Sequence, residues 1–185
     1  MTKEFSVGRL DIKAFAQHDG DLESEQSLDQ FPRLLAEDLR GDAAADQPVY
    51  WSLEGEWRES TGGVGQAWLH LQADTVVQMQ CQRCLRPVDV AADVDRSFRF
   101  VKDEATAAAL DDESEEDVLV LESHFNAHAL IEDELLMALP MVPMHDECPV
   151  GVQLESATPD FDAAPAEKAH PFAALATLRI DKSKP

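Results

Sequence analysis

Val88-Asp-Val-Ala-Ala-Asp-Val-Asp-Arg-Ser-Phe-Arg-Phe100 is the stretch on which the fold turns. Its Val88, Val90, Ala92, Val94, Phe98 and Phe100 all fall on even positions, interrupted by Arg96. A period of two puts those side chains on one side of a β-strand, so one face is buried. Upstream, Val49, Trp51, Leu53 and Trp57 share one parity, and Leu69, Leu71 and Ala73 resume the alternation in a strand that runs into Cys81. Thr61-Gly-Gly supplies a turn between them. Consecutive strands with short connections predict an antiparallel meander, with Cys81-Gln-Arg-Cys84 at a strand-to-strand turn.

On either side the period changes. Leu10, Ile12 and Ala14 alternate briefly, and residues 17–25 read as a polar loop. Leu28, Phe31, Leu34, Leu35 and Leu39 fall at helical spacing, with Asp29 or Gln30 as cap, Pro32 in the first turn and Gly41 as the stop. Residues 41–47 read as linker. Residues 103–117 carry eight acidic residues and no basic one, the composition of a mobile solvated loop, with an acidic binding site as the alternative. Val118-Leu-Val-Leu121 fits a short fourth strand, and Asn126 suits the N-cap of a helix carrying Leu130, Ile131, Leu135 and Leu139 up to Pro140. Residues 151–169 are rich in Ala, Pro and acid, and His170-Pro-Phe-Ala-Ala-Leu-Ala-Thr-Leu178 is a brief amphipathic helix. The expected fold is α+β: an antiparallel sheet or partly closed barrel with two or three packed helices. One core domain over residues 1–150, with its acidic loop at 103–117, is followed by a linker and short helix over 151–185.

Charge narrows the partners. The chain has 37 acidic and 15 basic residues, a formal net charge of -22. As a whole it repels nucleic acid, whose phosphates need clustered Lys and Arg, and it attracts basic proteins. No apolar run approaches the ~20 residues of a membrane span. Met1-Thr-Lys-Glu-Phe-Ser lacks the regions of a signal peptide, so the expected location is the cytoplasm with no membrane partner.

All three cysteines lie in two pairs of equal spacing, Cys81-Gln-Arg-Cys84 and His145-Asp-Glu-Cys148. Three thiolates and one imidazole are the set that a tetrahedral structural zinc takes, and four protein ligands leave no open position for substrate. Only a fold that returns the chain across the sixty intervening residues can close such a site. Two other readings stay open. The cysteines can be small buried apolar groups. A redox CxxC is disfavoured, because a strand precedes it and Pro87 follows, where thiol-exchange sites open a helix.

His18, His70, His124, His128 and His170 have no thiolate companion at ligand spacing, and no nucleophile elbow, phosphate loop or dinucleotide fingerprint is present. Nothing supports an enzyme. Arg83, Arg86, Arg96, Arg99 and Lys102 gather five of the fifteen basic residues within twenty positions. On a curved sheet they make a small basic face able to meet phosphate, or they neutralise the acidic excess of the same molecule.

Cys81-Gln-Arg-Cys-Leu-Arg-Pro-Val88, then Glu132-Asp-Glu-Leu-Leu-Met-Ala-Leu-Pro-Met-Val-Pro-Met-His145 with Cys148, then His170-Pro-Phe-Ala-Ala-Leu175 occur in this order. Together they resemble the YceD family, the large ribosomal RNA subunit accumulation proteins of bacteria and plastids. Family members end more often in Asn-Pro-Phe, where this chain has His170. The resemblance implies a non-catalytic ribosome biogenesis factor for accumulation or processing of large-subunit ribosomal RNA. Combined with the charge, it points to a basic ribosomal protein or a large-subunit assembly intermediate as partner. Direct ribosomal RNA binding through Arg83, Arg86, Arg96 and Arg99 is the alternative. A zinc-stabilised protein-interaction domain unrelated to ribosomes is a further one.

Overall fold

The computed structural model describes residues 5–59, 65–111, 114 and 116–151. The chain divides into two units, Met1–Val150 and Gly151–Pro185. The turn expected at Thr61 and the helix expected from His170 lie outside the described residues.

Along the first unit run α1 (Ile12–Gln17), β1 (Asp21–Ser27), α2 (Pro32–Glu37), β2 (Pro48–Glu59), β3 (Gly65–Gln80), β4 (Pro87–Val101), α3 (Glu104–Asp111), β5 (Asp117–Val120) and α4 (Ala127–Ala138). The strands form one sheet in the order β1-β2-β3-β4-β5. The meander over β2, β3 and β4 is the one that the alternating runs predict, with Leu53 opposite Leu71 and Ala73 opposite Val94. Inward residues Leu53, Leu69, Leu71, Phe98 and Phe100 are almost wholly buried, each contributing about 1.5–3 kcal/mol on removal from water.

The sheet departs from expectation in three ways. It is open, with β1 and β5 as edges, so it is no barrel. It is mixed, because β5 pairs parallel to β4 from Phe98 opposite Asp117 to Val101 opposite Val120. A parallel return needs a crossover, and α3 supplies it inside the segment read as loop. Third, strand β1 (Asp21–Ser27) begins inside the 17–25 segment read as polar loop. Only Leu22 among its inward positions is apolar; Gln26, the next but one, accepts from the Trp51 indole N–H at 2.9 Å. A strand whose buried face is mostly polar leaves no hydrophobic period to read.

Helices cover one face of the sheet. In α1, Asp11 caps the first turn by accepting from the Ala14 N–H at 3.0 Å, where the sequence suggested alternation. Phe15 reaches the sheet between two glycines: a Cβ on Gly20 would stand 2.2 Å from its ring and one on Gly55 2.5 Å. The helix expected over 28–39 is shorter, a 3-10 turn at Leu28–Gln30 followed by α2, with Pro32 at its first position. Leu28, Phe31 and Leu34 are buried, whereas Leu39 lies beyond the helix and is exposed. In α4, Asn126 accepts from the Ala129 N–H as the sequence predicts, and Ile131 and Leu135 enter the core. Among the described residues no helix is long and apolar enough to cross a membrane.

Candidate metal centre and the basic residues around it

The turn between β3 and β4 is built by its own backbone. The Cys81 N–H donates to the Arg86 carbonyl at 2.9 Å and the Leu85 N–H to the Cys81 carbonyl at 2.8 Å. Leu85 adopts a left-handed φ of 58° to close it. After α4 the chain, released from helix at Leu139 and Pro140, comes back to this turn, where the Gln82 N–H donates to the Pro143 carbonyl at 2.9 Å. That bond sets the two ligand pairs side by side.

One donor atom each from Cys81, Cys84, His145 and Cys148 lies within 4.8 Å of every other. Cys84 Sγ and His145 Nδ1 are 3.5 Å apart, which is also roughly the ~3.5 Å edge that a zinc ion with ordinary Zn–S and Zn–N bonds gives. On its far side His145 Nε2 is 3.0 Å from the Pro87 carbonyl oxygen. A carbonyl only accepts, so Nε2 carries the proton and Nδ1 faces the thiols with its lone pair. This is how a backbone carbonyl orients a ligating histidine. Cys81 is buried and the other three are half-buried. Burial alone would raise the Cys81 thiol, but backbone N–H groups of Cys84, His145 and Arg83 point at its sulfur and bring it down to about 5. Cys148 goes the other way, raised by burial and then by hydrogen bonds with Cys84 and Cys81. Three soft donors, one oriented imidazole and one thiol already favoured as thiolate fit a tetrahedral divalent ion.

The arginines near this turn do not share one face. Arg83 and Arg86 are exposed on the turn, and among the described residues neither pairs with a carboxylate. Arg96 points to the helix side, where it meets Glu134 of α4 at 3.0 Å and Asp117 at the start of β5. Odd-numbered Arg99 lies on the opposite side of β4 and donates to Gln66 at 3.0 Å. Among the described residues three other histidines have local partners: His18 Nδ1 lies 2.7 Å from the Ala14 carbonyl oxygen, His128 stacks on Phe31 at 4.4 Å, and His70 lies 3.3 Å from Asp95. The contributors that sequence reasoning missed here are the carbonyls of Pro87 and Pro143, which carry no side-chain signal at all.

Comparison with known proteins adds the family. The family model for "Large ribosomal RNA subunit accumulation protein YceD" matches residues 69–179, a span holding both ligand pairs. The protein of that name from Haemophilus influenzae is 32% identical over 108 residues, covering 56% of this chain and 60% of the relative. The match thus spans less than two thirds of that relative's length. No solved structure matches. With a family match across more than half of its length, carrying the turn cysteines and the returning His145 and Cys148, this chain belongs to the YceD family.

Proposed function

We propose that this protein is a non-catalytic factor in the accumulation of large-subunit ribosomal RNA, and that it acts by holding a basic ribosomal protein or an assembly intermediate. The observation that carries the reading is family membership in a chain of net charge -22. Such a charge favours a cationic protein over naked RNA as the direct partner, because encounter is steered by opposite potentials. In the same reading Cys81, Cys84, His145 and Cys148 hold one structural zinc. It would pin the β3–β4 turn to the segment after α4, and with four protein ligands it would leave no site for chemistry.

The test is removal of the protein from its own cells, followed by measurement of both ribosomal RNAs. Large-subunit RNA should fall relative to small-subunit RNA, and tagged full-length protein should recover a basic component of the large subunit. An unchanged RNA ratio would end the proposal.

A second reading keeps a direct RNA contact, favoured by the exposed Arg83 and Arg86 on the turn, which pair with no carboxylate among the described residues. It predicts that large-subunit RNA alone is bound, that salt weakens the binding, and that Arg83→Glu with Arg86→Glu abolishes it.

A further inference from the structure

The helices cover one face of the sheet, and the other face is bare among the described residues. Strand register lays its side chains out in rows. Glu25 of β1 stands opposite Tyr50 of β2, Tyr50 opposite Asp74 of β3, and Asp74 opposite Asp93 of β4. All four are exposed, and no cation among the described residues pairs with the three carboxylates. A shallow groove of about 440 Å³ follows this row on β1 to β3, lined by Glu23, Glu25, Tyr50, Ser52, Gln72 and Asp74.

Two features set this face apart from an ordinary solvated one. Like charges oppose each other directly across the strands, Asp74 against Asp93 and, further along, Asp21 against Glu54. Such pairs destabilise a sheet, so folding does not account for them. The face also shows how it receives a cation, since at its other end Arg58 lies 4.2 Å over the ring of Trp68. Tyr50, 45% exposed amid the carboxylates, offers the same contact to an incoming group.

We infer that the row Glu25–Tyr50–Asp74–Asp93 seats an extended, Lys- and Arg-rich protein segment laid across the strands. Three strand spacings of ~4.8 Å make the row ~14 Å long, which five extended residues span with three side chains facing the sheet. Three cations then meet three carboxylates, with the tyrosine ring beneath. This rests on the reading that the partner is a basic protein, and it adds the surface that holds it.

The probe is the protein mixture extracted from purified large ribosomal subunits, passed over immobilised full-length chain at about 0.1 M salt. Wild type should retain at least one basic protein. Glu25→Gln, Asp74→Asn and Asp93→Asn together should cut the retained amount about tenfold, as expected for three charges acting at one contact. Asp112→Asn, Glu113→Gln and Glu115→Gln remove the same charge from the acidic run and should change retention less than about twofold on the same screening argument. The face variant should also melt higher than wild type, because the Asp74–Asp93 repulsion is gone, so lost binding cannot be lost folding. Equal losses in the two triples, or no loss in the first, would overturn the surface while leaving the basic-partner reading intact. No retention of any basic protein by wild type would overturn both.

Discussion

Glu132 of α4 caps α2 from ninety-nine residues away: its Oε1 accepts from the Arg33 backbone N–H at 2.7 Å. It also lies 3.4 Å from the Leu34 N–H, and its Oε2 takes the Arg33 guanidinium at 2.8 Å. The N-cap position of α2 is Phe31, which has no side chain able to accept, so the orphan donors of this helix are satisfied in trans. Glu132 is only 5% exposed. Glu132→Ala strands buried N–H groups and should cost about 2–3 kcal/mol in denaturant unfolding. Glu132→Gln keeps an acceptor oxygen and should lose clearly less.

Phe15 fills the gap that Gly20 and Gly55 leave. Gly55→Ala should destabilise by about 1–3 kcal/mol through overpacking, and Phe15→Ala by about 3–5 kcal/mol through the cavity it opens. In Gly55→Ala with Phe15→Leu the two losses should sum to more than the measured total, since a smaller side chain relieves the clash. Strict additivity in that cycle would show that the glycine is not making room for the ring.

Arg96 bridges β4 to Glu134, which burial holds above the ordinary carboxylate range despite the opposing pull of Arg96. A raised carboxylate binds its proton more readily folded than unfolded, so its share of stability falls as pH rises from the ordinary value through the folded one. Arg96→Met removes the compensating charge. The variant should lose about 2–3 kcal/mol at pH 7, less than a fully buried pair because Arg96 is 44% exposed. The deficit should shrink as pH falls through the raised folded value, where Glu134 takes up its proton. A deficit independent of pH would exclude a stranded Glu134 charge as its cause.

Protein purified without chelator should carry one zinc per chain by elemental analysis. His145→Ala or Cys148→Ser should lower the zinc affinity by roughly tenfold or more, given that a ligand is lost outright. Chelation should lower the melting temperature of wild type and leave both variants unmoved. Near-zero zinc with freely titrating thiols would reduce the four side chains to a packing cluster.

Neutralising Asp112, Glu113 and Glu115 is preferable to deleting the acidic run. A deletion reaching Asp117 would remove a partner of Arg96 and the first residue of β5. The triple neutralisation should leave thermal stability within about 0.5 kcal/mol of wild type, as expected of a run whose composition offers too little apolar surface to pack. A larger loss would show the run to be structural.

By itself the sequence determined whatever depends on short-range period. The parity of Val49 to Trp57 and of Val88 to Phe100 determined the meander, Asn126 the start of α4, and the equal spacing of Cys81–Cys84 and His145–Cys148 marked the two pairs that the fold brings together. Tertiary structure decided what depends on pairing across distance. Polar β1 became a strand because β2 offered it backbone partners and Trp51 an indole for Gln26. β5 turned parallel because α3 carried the chain back across the sheet. Arg96 and Arg99 look like neighbours in a basic cluster, yet the pleat sends them to opposite faces. The acidic row from Glu25 to Asp93 exists only through the register of four strands. Periodicity shows which side of its own strand a residue takes, but side chains from separate strands become neighbours only when the backbone hydrogen bonds between those strands form.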